Sequence, residues 1–546
     1  MLKRLVLPLC MFMSGYCGIV TELSLFQLAE ALLGSTITNL LYTMGVMMFF
    51  MGIGAWMSNG KILSKASLNG FIYLEAGLSL AVSTTIPLIT YLAGISTFHS
   101  TSIFIFFSAL IGLFIGMEIP IMQKLIEEET NEDIQKISSS VMMADYFGGL
   151  VGFAAFSLIL LHTLGLASST LSASCANLLS ASLIFLFYKS KLLNFAKFCI
   201  IISIAATSFL WFNIQSIMDY AEQNLYAHKI IWSKQTPYQK LILTDNHQVG
   251  NPKYDQNQII KNISKQKNVQ TLNLDKNTLE IKQDVRNEYS LYINGGLQFN
   301  TYDEAYYHEF LVHPAVHLID KANSVLVLGG GDGMAIRELL KHDSIQKITL
   351  VDFDSQMLKA FKENPLLRKF NQNSLNSPRL KVIHDDAWNF IRAQNRQFDL
   401  IIADFPDPHH TATAKLYSLQ FYKLLKNNLG TNGIFITQST SPLLDNKAFL
   451  CIKKTIEAVG FNTLSCHIEM ESFFQWGFHI ASTKLTEDSM KHKLHDINIK
   501  VSTTFLNNDA INASWLWPKN FMDHYEALPI NNIMSLQLLK VYHEEK

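Results

Sequence analysis

Long apolar runs dominate the first two fifths of the sequence. They lie near residues 5–32, 38–57, 69–94, 102–123, 139–163, 168–187 and 195–215. An α-helix rises about 1.5 Å per residue, so each run can cross about 30 Å of hydrocarbon. The pattern predicts a multi-span α-helical membrane domain at residues 1–215 with about seven spans. The expected location is therefore the cell membrane, as a multi-pass protein in contact with the lipid bilayer.

The hydrophobic pattern changes after residue 217. Runs at 238–244 and 289–295 have the β-branched and aromatic residues of strands, and a polar stretch at 245–288 separates them. They predict a small β domain at 216–320 with a polar insertion at 245–288. From 321 to 546 short strand-like runs alternate with amphipathic helical ones, which predicts a parallel sheet covered by helices. The strand and helix pairs are expected at 324–328 and 334–341, 347–351 and 355–361, 380–383 and 387–393, and 399–403 and 416–427.

Composition supports the same division. About 9% of residues 1–213 are charged, against about 21% of residues 214–546. The net charge of −1 gives no support for a nucleic-acid partner. The six cysteines fall mostly in apolar runs without a CxxC pair, so a disulfide scaffold or a zinc site is not expected.

The charged residues of the first half raise two questions. Basic residues cluster at the N-terminus and beside every second connection, which puts the N-terminus in the cytoplasm. Seven spans would then place the second half outside, although we favour the cytoplasm for it. Four acids lie within the apolar runs, either to form a polar cavity for a cationic solute or to hydrogen-bond between helices. These acids are Glu22, Glu75, Glu118 and Asp145.

A glycine-rich loop, Gly329 to Gly333, follows a buried strand and precedes a helix. Such a loop lets the backbone approach a ligand closely. Asp352 ends the next strand about 20 residues on, at the position that holds ribose hydroxyls in this architecture. The two features together predict a nucleoside-type ligand. Asp386 and Ala387, after the third strand, are then placed to meet the adenine.

A pair of carboxylates, Asp404 and Asp407, follows the fourth strand of the sheet. The carboxyl ends of strands form the edge where open α/β sheets bind ligands. In isolation, a capping Asp followed by a turn proline would be an equally good interpretation.

The ordered motifs resemble the polyamine aminopropyltransferase, or spermidine synthase, family over about residues 235–485. The apolar first half resembles the membrane-fused branch of that family. The motifs that carry the resemblance are Tyr238-Gln239, Asn294-Gly295-x-x-Gln298, Asp303-Glu304-x-x-Tyr307-His308-Glu309, Gly329-Gly-Gly-Asp332-Gly and Asp404-x-x-Asp407-Pro408.

The resemblance implies a class I methyltransferase-type Rossmann-like catalytic domain at 321–546. It implies transfer of an aminopropyl group from decarboxylated S-adenosylmethionine to putrescine or a related amine, giving spermidine and methylthioadenosine. Decarboxylated S-adenosylmethionine is a co-substrate, and neither a prosthetic group nor a metal is implied. Soluble members associate, so a homo-oligomer is one expectation.

The resemblance also implies residue roles. Asp404 would be the catalytic base, Asp407 would help hold the diamine, and Asp332 would bind the ammonium of the donor. His308 would lie on the polyamine side, and Trp476 would wall the amine channel or simply pack in the core. The residues expected to contact the thioadenosine are Gln239, Asp352, Asp386 and Ala387.

Three departures from the family pattern and two alternative functions remain open on the sequence alone. Asn294 replaces an Asp, Asp352 replaces a longer Glu, and residues 408–411 replace a Pro-x-Gly-Pro stretch that gates the amine site. Methyl transfer from S-adenosylmethionine would use the same fold and nucleoside pocket. A polyamine transporter or sensor with a binding-only second half would account for the acids of the first half.

Overall fold

The computed structural model describes residues 2–33, 37–58, 67–95, 100–130, 134–188, 192–249, 288–394 and 396–544. The chain forms two compact units, Met1–Asn287 and Glu288–Lys546. We call them the helical unit and the α/β unit.

The helical unit contains all the apolar runs, and each of them is helical. The π-helical turn Leu41–Gly45 joins Ile37–Leu40 to α2, and a second π-helical turn, Phe156–Leu160, extends α5 into Leu161–Thr163. The helices are α1 (Leu2–Leu33), α2 (Val46–Met57), α3 (Ser67–Ile95), α4 (Ser100–Thr130), α5 (Ile134–Ala155), α6 (Leu166–Tyr188) and α7 (Asn194–Gln223).

Among the described residues, six helices are long and apolar enough to cross a membrane, namely those that contain α1 and α3 to α7. The predicted second run forms the shorter apolar helix Leu41–Met57. Each of the seven predicted runs therefore corresponds to a described helix, and one of the seven is shorter than the rest.

Glycines allow the helices of this unit to cross at backbone contact. A Cβ added at Gly54 of α2 would collide with the carbonyl oxygen of Leu113 in α4, and one at Gly116 would collide with that of Met51. Gly148 of α5 lies in the same way against the backbone of α1. Small residues at a helix crossing give the close van der Waals packing that associates helices in lipid. The glycines of these helices thus serve packing.

Two strands end the described part of the helical unit. The antiparallel pair β1 (His228–Gln235) and β2 (Lys240–Val249) follows α7. The strand predicted at 238–244 corresponds to β2, and β1 was not predicted. Residues 250–287, most of the predicted polar insertion, lie outside the described residues.

The α/β unit begins with the hairpin of β3 (Tyr289–Ile293) and β4 (Gly296–Asn300). Its turn residues, Asn294 and Gly295, both have positive φ, at 49° and 81°. Only Gly, Asn and Asp adopt this conformation readily, so the Asn at 294 suits the turn. The departure from the family's Asp at this position is therefore compatible with the local backbone.

Strands and helices alternate after the hairpin, close to the predicted positions. The strands are β5 (Ser324–Gly329), β6 (Lys347–Asp352), β7 (Leu380–His384), β8 (Phe398–Asp404), β9 (Leu429–Gln438), β10 (Asn462–Met470) and β11 (Phe474–Ser482). The helices are α8 (Glu304–His317), α9 (Met334–Leu340), α10 (Ser355–Glu363), α11 (Pro365–Phe370), α12 (Ala387–Ala393), α13 (Thr411–Ala414), α14 (Leu419–Asn428), α15 (Asn446–Glu457), α16 (Glu487–His495), α17 (Asn508–Ala513) and α18 (Gln537–Glu544).

The seven strands β5 to β11 form one sheet in the order β10-β11-β9-β8-β5-β6-β7. Strands β5 to β9 are parallel, and β11 runs antiparallel to both of its neighbours. This is the Rossmann-like, class I methyltransferase-type fold that was expected. The strand order reverses between β5 and β8, and ligands bind at such a switch point.

Candidate active site

The glycine loop after β5 passes directly beside the end of β8. Gly329 pairs with Asp404 across the two strands. Gly329 and Gly330 have φ values of 78° and 70°, and a Cβ at Gly329 would collide with the backbone oxygen of Asp404. A Cβ at Gly330 would lie 2.9 Å from Asp404 Oδ2. Glycine is required here because the backbone takes the left-handed conformation and leaves no room for a side chain.

The same loop brings Asp332 and Asp352 to this edge of the sheet. Asp332 Oδ1 accepts a hydrogen bond from the backbone N–H of Met334 at 2.8 Å. Asp352 is 8% exposed, and a Cβ at Gly331 would lie 2.8 Å from its Oδ2. Burial, with the charges of Asp354 and Asp332, raises the pKa of Asp352 to about 6. The loop is therefore lined by carboxylates on two sides.

Asp404 lies half-buried at the centre of the site. The hydroxyl of Tyr307, on α8, donates a hydrogen bond to Asp404 Oδ1 at 2.7 Å. Burial raises the pKa of Asp404 to about 6, and the charge of Asp332 adds to the rise, while His308 and the Tyr307 hydrogen bond oppose it. A carboxylate with this pKa is ionised at neutral pH and is a stronger base than a free carboxylate.

His308, one residue after Tyr307, is held in its charged form. Its Nδ1 lies 2.8 Å from Glu304 Oε2, one helical turn earlier. Burial alone would lower the pKa of His308, but the hydrogen bond and charge of Glu304, with Asp332 and Asp404, raise it to about 9. The imidazolium thus places one positive charge among the acids of the site.

A buried network of ion pairs stands behind His308. Arg337 of α9 donates to both oxygens of Glu304, at 2.8 and 3.0 Å, and to Glu338 at 2.7 Å. Glu338 also pairs with His313 at 3.0 Å and Lys341 at 2.6 Å. Removing one partner of such a buried group typically costs about 3–5 kcal/mol, so the network fixes α8 against α9. Sequence reasoning missed it, although the i, i+4 spacing of Glu304 and His308 is a usable signal.

Asp407 is held by groups that are distant in the sequence. The hydroxyl of Tyr542, on α18, donates to Asp407 Oδ2 at 3.1 Å. Gln438 Nε2 and Thr440 Oγ1 each approach the carboxylate at 3.4 Å. No motif pointed to Tyr542. The structure therefore adds the C-terminal helix to the surroundings of Asp407.

The stretch that departs from the family pattern, 408–411, packs with that helix. The ring of His409 meets the ring of Tyr542 edge-on, with 5.4 Å between the ring centroids. His543 Nε2 forms a hydrogen bond with the carbonyl oxygen of His409 at 3.1 Å. His410 caps α13, with Nδ1 accepting from the N–H of Thr413 at 3.2 Å. Both histidines thus have local structural contacts.

The predicted adenine-side residues occupy the expected edge of the sheet. His384 at the end of β7 pairs with Asp352, and Asp386 and Ala387 start α12 just beyond. The Asp386 carboxylate caps this helix and pairs with Lys415 at 3.1 Å. Gln239 lies in the turn between β1 and β2 in the helical unit, and its proposed contact with thioadenosine stays a prediction.

Aromatic rings lie on one side of Asp404. The ring of Trp476 is 6.4 Å from that of Tyr307 and 4.9 Å from that of Phe473, measured between centroids. Its indole N–H is buried and has no hydrogen-bond partner within the described part of the chain. Trp476 therefore packs with its aromatic neighbours and leaves one buried N–H donor unpaired beside the site.

No group of three or more His, Cys, Asp or Glu side chains is arranged to hold a metal ion in the described ranges. The site combines a glycine loop at the switch point with a cluster of carboxylates around a charged histidine. These features define an α/β domain with an acidic ligand site at the carboxyl edge of its sheet.

Comparison with known proteins makes this class specific. Residues 304–492 match the Spermine/spermidine synthase domain family. The chain is 32% identical over 472 residues to the polyamine aminopropyltransferase of Leptospira interrogans, which covers 86% of each chain. It is 32% identical over 538 residues to polyamine aminopropyltransferase 2 of Aquifex aeolicus, or 98% of each. The chain therefore belongs to the polyamine aminopropyltransferase family of enzymes.

The relatives also bear on the helical unit. The match with the Aquifex aeolicus protein covers nearly the whole chain, so it includes that unit.

Among solved structures, a spermidine synthase from Thermotoga maritima aligns with a TM-score of 0.42 at 23% identity, over 55% of this chain and 88% of that one.

Proposed function

We propose that this enzyme transfers the aminopropyl group of decarboxylated S-adenosylmethionine to putrescine, giving spermidine and methylthioadenosine. The observation that carries the proposal is Asp404, a carboxylate with a pKa of about 6 beside the glycine loop of a nucleoside site. Family membership supports the reaction class, and the acidic surroundings of Asp404 suit two cationic substrates.

On the donor side, the loop and its acids have complementary tasks. Asp352 would hold the ribose hydroxyls, and Asp332, at the turn into α9, would bind the ammonium of the aminopropyl chain. Asp386 and Ala387 would meet the adenine. A carboxylate suits the ammonium of the donor tail, because a nearby positive charge keeps the carboxylate ionised.

The chemical step is a displacement at carbon. The neutral amine attacks the methylene next to the sulfonium, a C–N bond forms, and the C–S bond breaks with its electrons going to sulfur. The leaving group is the neutral thioether methylthioadenosine, which needs no proton. The attacking ammonium must first lose a proton, and Asp404 is the base placed to accept it. Tyr307 orients the carboxylate through its hydrogen bond.

On the acceptor side, Asp407 would hold the second ammonium of the diamine, and His308 would line the polyamine side. Tyr542 donates a hydrogen bond to Asp407 and would therefore help to position that ammonium. Trp476 would cover the methylene chain between the two amines, since an indole face contacts methylenes well.

The test is an assay of the purified full-length chain with decarboxylated S-adenosylmethionine and a panel of diamines and triamines, with products identified by mass. We expect methylthioadenosine and spermidine with putrescine. Asp404→Asn should lower kcat at least 100-fold, because a general base typically contributes 10²–10⁴-fold. Asp320→Asn is the control, since the side chain of Asp320 is 93% exposed. Equal activity of Asp404→Asn and the wild type would disprove the proposed mechanism.

We further propose that the helical unit spans a bilayer and that the α/β unit lies on the cytoplasmic side. Many large apolar side chains on its helices are exposed, as on lipid-facing surfaces. The six long helices, taken alone, give an even number of crossings, which returns the chain to the side of its basic N-terminus. The apolar helix Leu41–Met57 has 17 residues and covers only about 25 Å.

A further inference from the structure

The helical unit contains a group of buried polar side chains that the reaction in the α/β unit does not use. Glu75 of α3 is fully buried and Glu118 of α4 is 2% exposed. Ser14 of α1 donates a hydrogen bond to Glu118 Oε2, and Ser180 of α6 donates one to Glu75 Oε1 at 3.2 Å. The two carboxylates lie within electrostatic reach of each other. Four helices thus converge on one acidic interior.

Each carboxylate keeps one oxygen without a hydrogen bond. Glu75 Oε2 and Glu118 Oε1 are buried and have no partner in the described part of the chain. Buried polar atoms are almost always paired in folded proteins. Two such oxygen atoms on carboxyl groups in one interior point to a cationic or donor group that completes them.

Asn177 gives an independent indication. It lies on α6 one turn before Ser180, is fully buried, and neither its Nδ2 nor its Oδ1 has a hydrogen bond with any described residue. Its polar neighbour is the thiol of Cys17, a weak hydrogen-bonding group, which is within electrostatic reach of both Glu75 and Glu118. Cys17 follows Ser14 by one turn of α1. An unpaired amide therefore joins the same interior as the two free carboxylate oxygens.

The helix segments around the acids contain no basic residue. The segments 5–58, 67–95, 100–123 and 166–188 contain no Lys, Arg or His. A third acid, Asp145 of α5, lies next to Gly15, since a Cβ there would be 2.9 Å from Asp145 Oδ1. The interior therefore combines carboxyl, hydroxyl and amide groups, and these segments bring no basic side chain to it. Such acids in membrane helices typically mark a cation path or site.

We propose that Glu75, Glu118 and Asn177 form a binding site for a primary ammonium group inside the helical unit. An ammonium has three N–H donors, and the three unpaired oxygens here are Glu75 Oε2, Glu118 Oε1 and Asn177 Oδ1. The natural source of the group is the end of a diamine or polyamine, and this choice of probe rests on the proposed function. A sodium ion is the competing occupant, because oxygen ligands also suit it.

The experiment counts bound putrescine on the full-length chain in lipid nanodiscs by equilibrium dialysis. We expect two equivalents per wild-type chain and one per chain in the double variant Glu75→Gln with Glu118→Gln. Retained methylthioadenosine formation shows that the α/β unit of the variant is intact, and circular dichroism with gel filtration reports on the helical unit. Glu22→Gln is the matched control, because Glu22 lies on α1 eight residues, or about 12 Å, beyond Ser14.

A second variant covers the case in which the double variant does not fold. Asn177→Leu removes the amide and leaves both carboxylates, and it should weaken the second equivalent at least 10-fold. Wild-type stoichiometry in both variants would overturn the proposal. So would ²²Na⁺ binding that the double variant loses while its putrescine stoichiometry stays unchanged. Absence of methylthioadenosine with every amine would refute the proposed reaction without affecting this binding result.

Discussion

At the scale of single residues, the role proposed for Asp404 as the base predicts the pH range in which the enzyme works. Burial and the charge of Asp332 raise the pKa of this carboxyl to about 6, while the Tyr307 hydrogen bond and His308 hold it down. A base must be deprotonated to act. Activity is therefore present above this pKa and lost as the pH falls through about 6.

Tyr307→Phe should shift the acidic limb of the kcat/KM profile to higher pH, because the hydrogen bond that stabilises the ionised carboxylate is lost. The measurement is kcat/KM for the amine between pH 5 and 9. Tyr302→Phe is the control, since Tyr302 is 42% exposed. An unchanged or lowered apparent pKa in Tyr307→Phe would contradict the role assigned to this hydroxyl.

At the scale of elements, the C-terminal helix α18 contacts Asp407, the carboxylate proposed to hold the acceptor. Tyr542 reaches Asp407 across 135 residues of sequence. Leu538 and Val541 of the same helix are buried, so the helix is packed firmly within the α/β unit. The helix contacts His409, which lies in the 408–411 stretch that replaces the family's Pro-x-Gly-Pro.

Tyr542→Phe should raise KM for the diamine about 10- to 100-fold and leave KM for the donor unchanged, because one hydrogen bond to a charged group contributes roughly 1.5–3 kcal/mol. Steady-state kinetics with each substrate varied in turn tests this. Tyr525→Phe removes a tyrosine hydroxyl bonded to Glu457, far from the motifs of the site, and serves as the control. Equal increases in both KM values would indicate a general loss of packing instead.

The helix crossings of the helical unit give a second prediction at this scale. Gly54→Ala should destabilise the protein by about 1–3 kcal/mol, because its Cβ meets the backbone of α4 and forces the helices apart. Gly52→Ala, two residues earlier in the same helix, meets nothing within 4 Å and should be close to neutral. Thermal denaturation in detergent compares the two. A smaller loss for Gly54→Ala than for Gly52→Ala would exclude backbone contact between α2 and α4.

At the scale of the whole molecule, the open question is which side of the membrane holds the α/β unit. Six crossings would return the chain to the cytoplasmic side, where its basic N-terminus lies. The basic residues beside alternate connections instead match seven crossings. The two arrangements differ in whether Leu41–Met57 crosses.

Asp320→Cys places a thiol at an exposed position of the α/β unit. With a membrane-impermeant maleimide, we expect labelling only after the cells are permeabilised. The wild-type chain reports the background, since four of its six cysteines are buried. Labelling of intact cells would place the unit outside and require Leu41–Met57 to span.

Much of the architecture and part of the site could be predicted from the sequence. Runs of apolar residues and period-dependent patterns are local properties, so helices α1 to α7 and strands β5 to β8 were recognisable. The carboxyl ends of parallel strands meet at one edge, so the order of strands along the chain was enough to assign Asp352 and Asp404 to one site. Strands β9 to β11 were not among the predicted elements, and their place in the sheet came only from the fold.

The sequence alone therefore determined the two kinds of unit, the fold class of the second, and the residue types that its chemistry needs. The tertiary structure decided which groups surround those residues. Arg337 meets Glu304 and Tyr542 meets Asp407 only because distant segments pack together. Burial and neighbouring charges set whether Asp404 is a base and His308 a cation, and both depend on contacts between elements that are far apart in the chain.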